Sequence, residues 1–157
     1  MTGLEPREFV WVISDRLATS ERIGGYGFQH RRVRRSEEIA WLRREGVTMV
    51  LSLLPGNQNL AAYEAAALET RHAPLAAEFE DEDVQRILAA IDEALEGPET
   101  VLLVHRDIVD DSVAGILGGY LVHSGLVDNP IVAISLIQEI VGRPLGPEGR
   151  RLIPQGA

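Results

Sequence analysis

The sequence predicts an α/β domain with a mostly parallel central sheet of about four to five strands flanked by helices. Three observations carry this reading. Short β-branched, almost wholly apolar segments, Val47–Leu54 and Thr100–Val104, have the composition of strands covered on both faces. Between such segments lie longer stretches with apolar residues at helical spacing, and strands that alternate with helices make a parallel sheet. The length of 157 residues suits one domain spanning 1–157.

Taken in order, Phe9–Ile13 reads as the first strand, and Arg16-Leu17-Ala18 as a short basic-apolar element after it. Ile23–Phe28 is a loop, because three glycines in the four positions 24–27 hold no regular element. Ser36 is the expected cap of the next helix, with Glu37 and Glu38 suiting the positive end of its dipole. Ile39 and Leu42 are its apolar positions, and Gly46 stops it. After the strand Val47–Leu54, Asn57 is expected to cap a short helix through Ala67. Thr70–Leu75 is a weaker strand limited by Pro74. Asp81–Leu95 places Val84, Ile87, Leu88, Ile91 and Leu95 on one stripe, and Gly97-Pro98 ends it. Thr100–Val104 then leads through a loop, His105–Asp111, into an apolar helix that Ser112 is expected to cap. A last helix starts at Asn129-Pro130 and ends near Gly142.

Composition excludes several chemistries. The chain has no cysteine, which removes thiolate nucleophiles, disulfides and thiolate metal sites. It has no lysine, which removes Schiff bases and the Walker lysine. A net charge of −9 repels nucleic acid and anionic lipid, so neither is an expected partner. No apolar run reaches the length of a membrane span, and the first residues show no signal-peptide pattern, so the expected location is the cytoplasm. No cofactor is expected.

In α/β sheets ligands bind beyond the carboxyl ends of strands, which directs attention to the stretch Val104-His105-Arg106-Asp107-Ile108-Val109-Asp110-Asp111-Ser112-Val113-Ala114-Gly115. It resembles, by position, the signature loop of the dual-specificity branch of the protein tyrosine phosphatases. Val10–Ile13 with Arg16-Leu17-Ala18, the unit Glu38–Leu53, and His72-Ala73-Pro74-Leu75 resemble other segments of that branch, and the likeness spans about residues 9–145. The resemblance implies the phosphatase fold and a cleft at this loop. It also implies that His105 keeps the family histidine, that Arg106 stands where the nucleophilic cysteine would be, and that Val109 stands at the loop glycine. Ser112 falls on the phosphate-binding arginine, and Ala77 on the general-acid aspartate.

Those substitutions vacate three chemical roles. A guanidinium stays protonated and has no lone pair with which to attack phosphorus. A serine hydroxyl donates one neutral hydrogen bond where an arginine donates a charged pair. Alanine cannot protonate a leaving oxygen. The expected function is therefore a pseudophosphatase, a non-catalytic binding or regulatory module for a protein or a small ligand, with Arg106 paired to an aspartate and phosphate binding weak or absent. A hydrolase using a metal or the carboxylates Asp107, Asp110 and Asp111 is the alternative, and a small-ligand sensor the second.

Other features have plainer readings. Aspartates at a helix start commonly cap it, and the three match no known metal-loop spacing, so no metal is expected. His105-Arg106-Asp107 spells a kinase tripeptide, but the chain lacks the kinase lysine. Gly24, Gly25 and Tyr26 form an expected mobile surface loop beside the cleft and a candidate partner-binding surface. Arg31, Arg32, Arg34 and Arg35 form the single basic cluster, read as a salt-bridged surface or a docking patch for an acidic partner. The acidic run Glu78–Asp83 suits a helix N-terminus.

Overall fold

The structure, a computed structural model, describes residues 3–157. Five strands form one sheet: β1 (Val10–Ile13), β2 (Leu17–Ser20), β3 (Met49–Ser52), β4 (Glu69–His72) and β5 (Leu102–His105). Their order is β1-β2-β5-β3-β4, with β1 antiparallel to β2 and every other pair parallel. The helices are α1 (Arg32–Arg44), α2 (Leu60–Ala65), α3 (Asp81–Leu95), α4 (Asp111–His123), α5 (Pro130–Val141) and α6 (Pro147–Leu152). Single 3₁₀ turns occupy Gly27–Gln29 and Ile153–Gly156.

The expected α/β class and strand count match the fold. β5 lies at the centre, and its alternating side chains feed two separate cores. Leu102 and Val104 join Leu51 and the α3, α4 and α5 residues Ile87, Leu117 and Ile137. Leu103 faces the opposite way and joins Val50, Ala18, Leu42 and Tyr63 beneath α1 and α2. The sheet is thus covered on both faces, which explains the nearly unbroken apolar runs of β3 and β5.

Several boundaries differ from the sequence reading. Leu17–Ser20 is a full strand, buried at all four positions, because β5 and β1 pair with it on either side. Its Leu-Ala-Thr-Ser composition carries little strand preference of its own. α1 begins at Arg32 and places Ser36 inside the helix, since arginine is itself a good helix former. Asn59, in the left-handed region at φ 69°, precedes α2 in place of Asn57. Asp110 caps α4 in place of Ser112, accepting the Val113 N–H at 2.9 Å. α6 is an element the apolar periodicity does not reveal. Its N-terminus is held by Asp111, whose carboxylate accepts from Gly146 N at 2.8 Å and Gly149 N at 2.6 Å.

A buried polar chain ties the sheet to α1 and α2. Arg35 donates to Asn59 Oδ1 at 3.1 Å, and Asn59 Nδ2 donates to the Ile23 carbonyl at 2.8 Å and lies 3.4 Å from the Tyr63 hydroxyl. That hydroxyl lies 2.9 Å from His105 Nε2, and His105 Nδ1 lies 3.1 Å from the Arg106 carbonyl. A carbonyl only accepts, so Nδ1 carries the proton and Nε2 receives the tyrosine O–H. His105 is fully buried, and this burial, reinforced by the Arg22 charge, lowers its pKa from 6.5 to about 4.

Two outcomes follow from these contacts. Between about pH 6.5 and about 4 the unfolded chain binds a proton at His105 that the folded chain excludes. Stability should therefore fall with pH through that window, by on the order of 3 kcal/mol from this group. Urea unfolding at pH 7 and 4.5 should show a flatter pH slope for His105→Gln than for the unsubstituted chain. Removing the α6 cap with Asp111→Ala leaves two amides without their carboxylate, and denaturant unfolding should show a loss of about 1–3 kcal/mol.

Candidate functional site

The cleft is built where β5 ends and α4 begins. The loop between them runs from Arg106 to Asp110, and its mouth faces the segment that follows β4. The cleft measures about 440 Å³ and is lined by Tyr26, Ala77, Arg106, Asp107, Ile108, Asp110 and Ser112. Ala77, Arg106 and Ser112, which come from two separate segments of the chain, therefore share one cavity.

Arg106 dominates the interior. Its Nη1 donates to Asp110 Oδ2 at 3.2 Å, and its Nη2 donates to the carbonyls of Leu75 at 3.1 Å and Ala76 at 2.8 Å. The side chain is only 14% exposed. The guanidinium thus joins the β5–α4 loop to the segment carrying Ala77, and its charge is balanced by a carboxylate and two carbonyl dipoles. The expected pairing of Arg106 with an aspartate is made, and the partner is Asp110.

The three aspartates diverge. Asp107 faces Arg22, with Oδ1 3.7 Å from Nη1, and its carbonyl accepts the Arg22 N–H at 3.0 Å. Asp110 divides its carboxylate between Arg106 and the α4 cap. Asp111 points away to α6. Among the described residues no group of three or more His, Cys, Asp or Glu side chains is placed to hold a metal ion.

Val109 is buried in the larger core, and its carbonyl accepts from Arg143 Nη2 at the end of α5. Its backbone lies outside the positive-φ region, so the β-branched side chain is accommodated without strain there. Ile108 is 40% exposed at the rim. His105 lies beneath the loop, outside the cleft, in the buried chain with Tyr63.

The glycine loop is a correction to the sequence reading. Gly24 and Gly25 are buried, not a mobile surface, and both have positive φ, 87° and 91°. Gly24 N donates to the buried Glu38 at 2.8 Å, and a side chain at Gly25 would meet the Gln29 carbonyl at 2.7 Å. Only Tyr26 of the three reaches the cleft. The basic cluster divides as well. Arg34 turns inward to Glu38 at 2.7 Å and Arg35 to Asn59, whereas Arg31 and Arg32 stay exposed. The acidic run opens α3 as expected, with Glu80 and Asp83 forming a reciprocal cap.

Sequence reasoning missed Arg22 and Arg143, which brace the loop from distant segments. Nothing local marks either. Tyr63 was hidden inside a short alanine-rich helix, where a lone tyrosine gives no sign that its hydroxyl seeks a buried histidine.

No protein-family model matches the sequence, and no curated protein sequence matches it. Solved structures do match. Tk-PTP in its active form aligns over 94% of this chain and 95% of its own, at 16% identity and a TM-score of 0.72. Kinase associated phosphatase, with its catalytic-site cysteine replaced by serine, aligns over 94% and 92%, at 15% identity and a TM-score of 0.75. The core catalytic domain of a PP-IP phosphatase from S. cerevisiae, in complex with citrate, aligns over 99% and 88%, at 11% identity and a TM-score of 0.69. The five-stranded sheet and its helices therefore form the fold of tyrosine and dual-specificity phosphatases.

Proposed function

We propose that this chain is a pseudophosphatase, a binding or regulatory module that uses the phosphatase scaffold without hydrolysing esters. The observation that supports it is the state of Arg106. In a phosphatase of this fold the residue after the strand histidine supplies the attacking sulfur, and the loop amides point at the phosphate. Here that residue is a cation with no lone pair, bonded to Asp110 and to the Leu75 and Ala76 carbonyls. The guanidinium is committed to these partners and ties down the segment that carries Ala77.

The electrostatics agree with this reading. Asp107 and Asp110 line the cleft beside Arg106, so the lining charge is net negative by one and disfavours a phosphate dianion. Ser112 offers one hydroxyl, and Ala77 offers no proton. At about 440 Å³ the cavity still falls within the range of small-molecule pockets, so it can accept a side chain of a protein partner or a small neutral ligand. Asp111 points away to α6 and the Asp110 carboxylate is taken up by Arg106 and the α4 cap, which weighs against a hydrolase that uses the three aspartates together.

Two measurements test the proposal. Purified protein assayed with p-nitrophenyl phosphate, with and without Mg²⁺ or Mn²⁺, should give no turnover above a mock preparation; turnover that falls in Asp110→Ala would overturn it. The double substitution Arg106→Cys with Ser112→Arg should confer vanadate binding, read by calorimetry, that the unsubstituted chain lacks. A folded double variant with no gain would mean that the loop is not a displaced phosphate cradle.

A further inference from the structure

We infer that the 3₁₀ turn Gly27–Gln29 and the first turn of α1 form a docking surface for an acidic polypeptide segment carrying an apolar anchor. The inference rests on the binding-module reading and names the class of partner.

Phe28 is 100% exposed and Val33 is 78% exposed, with no neighbour covering either. Arg31 and Arg32, between them in sequence, are exposed too. From Gly27 to Ser36 there is no carboxylate, although the whole chain carries −9. The surface is therefore a local cationic and apolar patch on an acidic protein. Arg34 and Arg35 do not add to it, since both turn inward.

The patch is held in shape before any partner arrives. Gln29 N donates to the Tyr26 carbonyl at 3.0 Å, and His30 N to the Gly27 carbonyl at 3.3 Å. Arg31 Nη1 donates to the carbonyls of Phe28 at 2.7 Å and His30 at 2.8 Å. Arg7 reaches across to Gln29 Oε1 at 3.2 Å. Buried Gly24 and Gly25 anchor the turn from below. A fixed turn loses little conformational entropy on binding, and buried aromatic and arginine side chains supply most of the affinity of typical interfaces. Phe28 contributes no burial to the fold, so its ring is free for a partner to cover. The patch also continues into the cleft through Tyr26, which precedes the turn and lines the cavity.

Charge decides the kind of partner. A bilayer or a nucleic acid presents an extended anionic surface to the whole chain and meets its net negative charge. A short acidic segment meets only the local field, which is screened beyond roughly 8–10 Å. One aromatic and two arginines also fall short of the two strong signals that stable membrane anchoring needs.

The test is titration of the isotopically labelled full chain with three probes: the peptide Glu-Glu-Leu-Phe-Glu-Glu, its Lys-for-Glu counterpart, and phosphatidylserine vesicles. The acidic peptide should bind and shift the amides of residues 28–33. The basic peptide and the vesicles should not. Phe28→Ser, and Arg31→Glu with Arg32→Glu, should each weaken the acidic peptide at least about tenfold. The substituted side chains are solvent-exposed, and because Arg31 also bonds the carbonyls of the turn, Arg32→Glu alone, which breaks no bond of the turn, should weaken the acidic peptide as well. Equal binding of both peptides, no binding of either, or vesicle binding lost in the same variants would overturn the inference. Shifts confined to the cleft at Ile108 and Ser112 would overturn it while leaving the binding-module reading in place. Phosphate-ester turnover would overturn that reading and leave the rim to be judged by the peptide data.

Discussion

The guanidinium of Arg106 is the interaction on which the site depends. It reaches from the end of β5 to the Leu75 and Ala76 carbonyls and to Asp110, closing a loop of the sheet onto the segment after β4. A phosphatase loop organises its amides around a bound anion, and its cation sits on the helix. In this chain the cation sits inside the cleft, and its counter-charge is internal. The cation of the cleft is thus satisfied by contacts within the molecule.

The scaffold below the loop does not depend on these contacts. β5 is central and feeds one core through Leu102 and Val104 and the other through Leu103. His105 is locked between the Tyr63 hydroxyl and the Arg106 carbonyl, which sets where the loop leaves the sheet. Asp110 caps α4, Asp111 caps α6, and Arg143 holds the Val109 carbonyl, so three further elements fix the loop's course. The aspartates that crowd the sequence here are distributed by these separate tasks.

The strands buried on both faces were legible because burial on both sides demands unbroken apolar sequence, as in Met49–Ser52 and Leu102–His105. α3 was legible because only one of its faces is buried, which leaves the stripe Val84, Ile87, Leu88 and Ile91. β2 was not, because Leu17–Ser20 becomes a strand through pairing with both neighbours rather than through its own composition. The start of α1 was placed too late, with its cap at Ser36, because a serine before two glutamates is a better local cap than Arg31, the residue that holds the position. In the site, the likeness of spacing located the loop and the positions of Ala77, Arg106 and Ser112. It gave no means of knowing that Gly24 and Gly25 are buried or that Arg34 and Arg35 point inward.

By itself the sequence determined the α/β class and the sheet's burial on both faces, because hydrophobic periodicity is a property of residues in their local order. Only the tertiary structure decided which aspartate pairs with Arg106, which segments brace Val109 and Asp107, and that Phe28 stands free beside the cleft. Arg106 finds Asp110 close in sequence, but the bracing contacts join distant segments, as Arg106 meets Leu75 and Arg143 meets Val109. A local pattern cannot encode such pairings, because each side chain has several partners of equal chemistry and the packing of the sheet chooses among them.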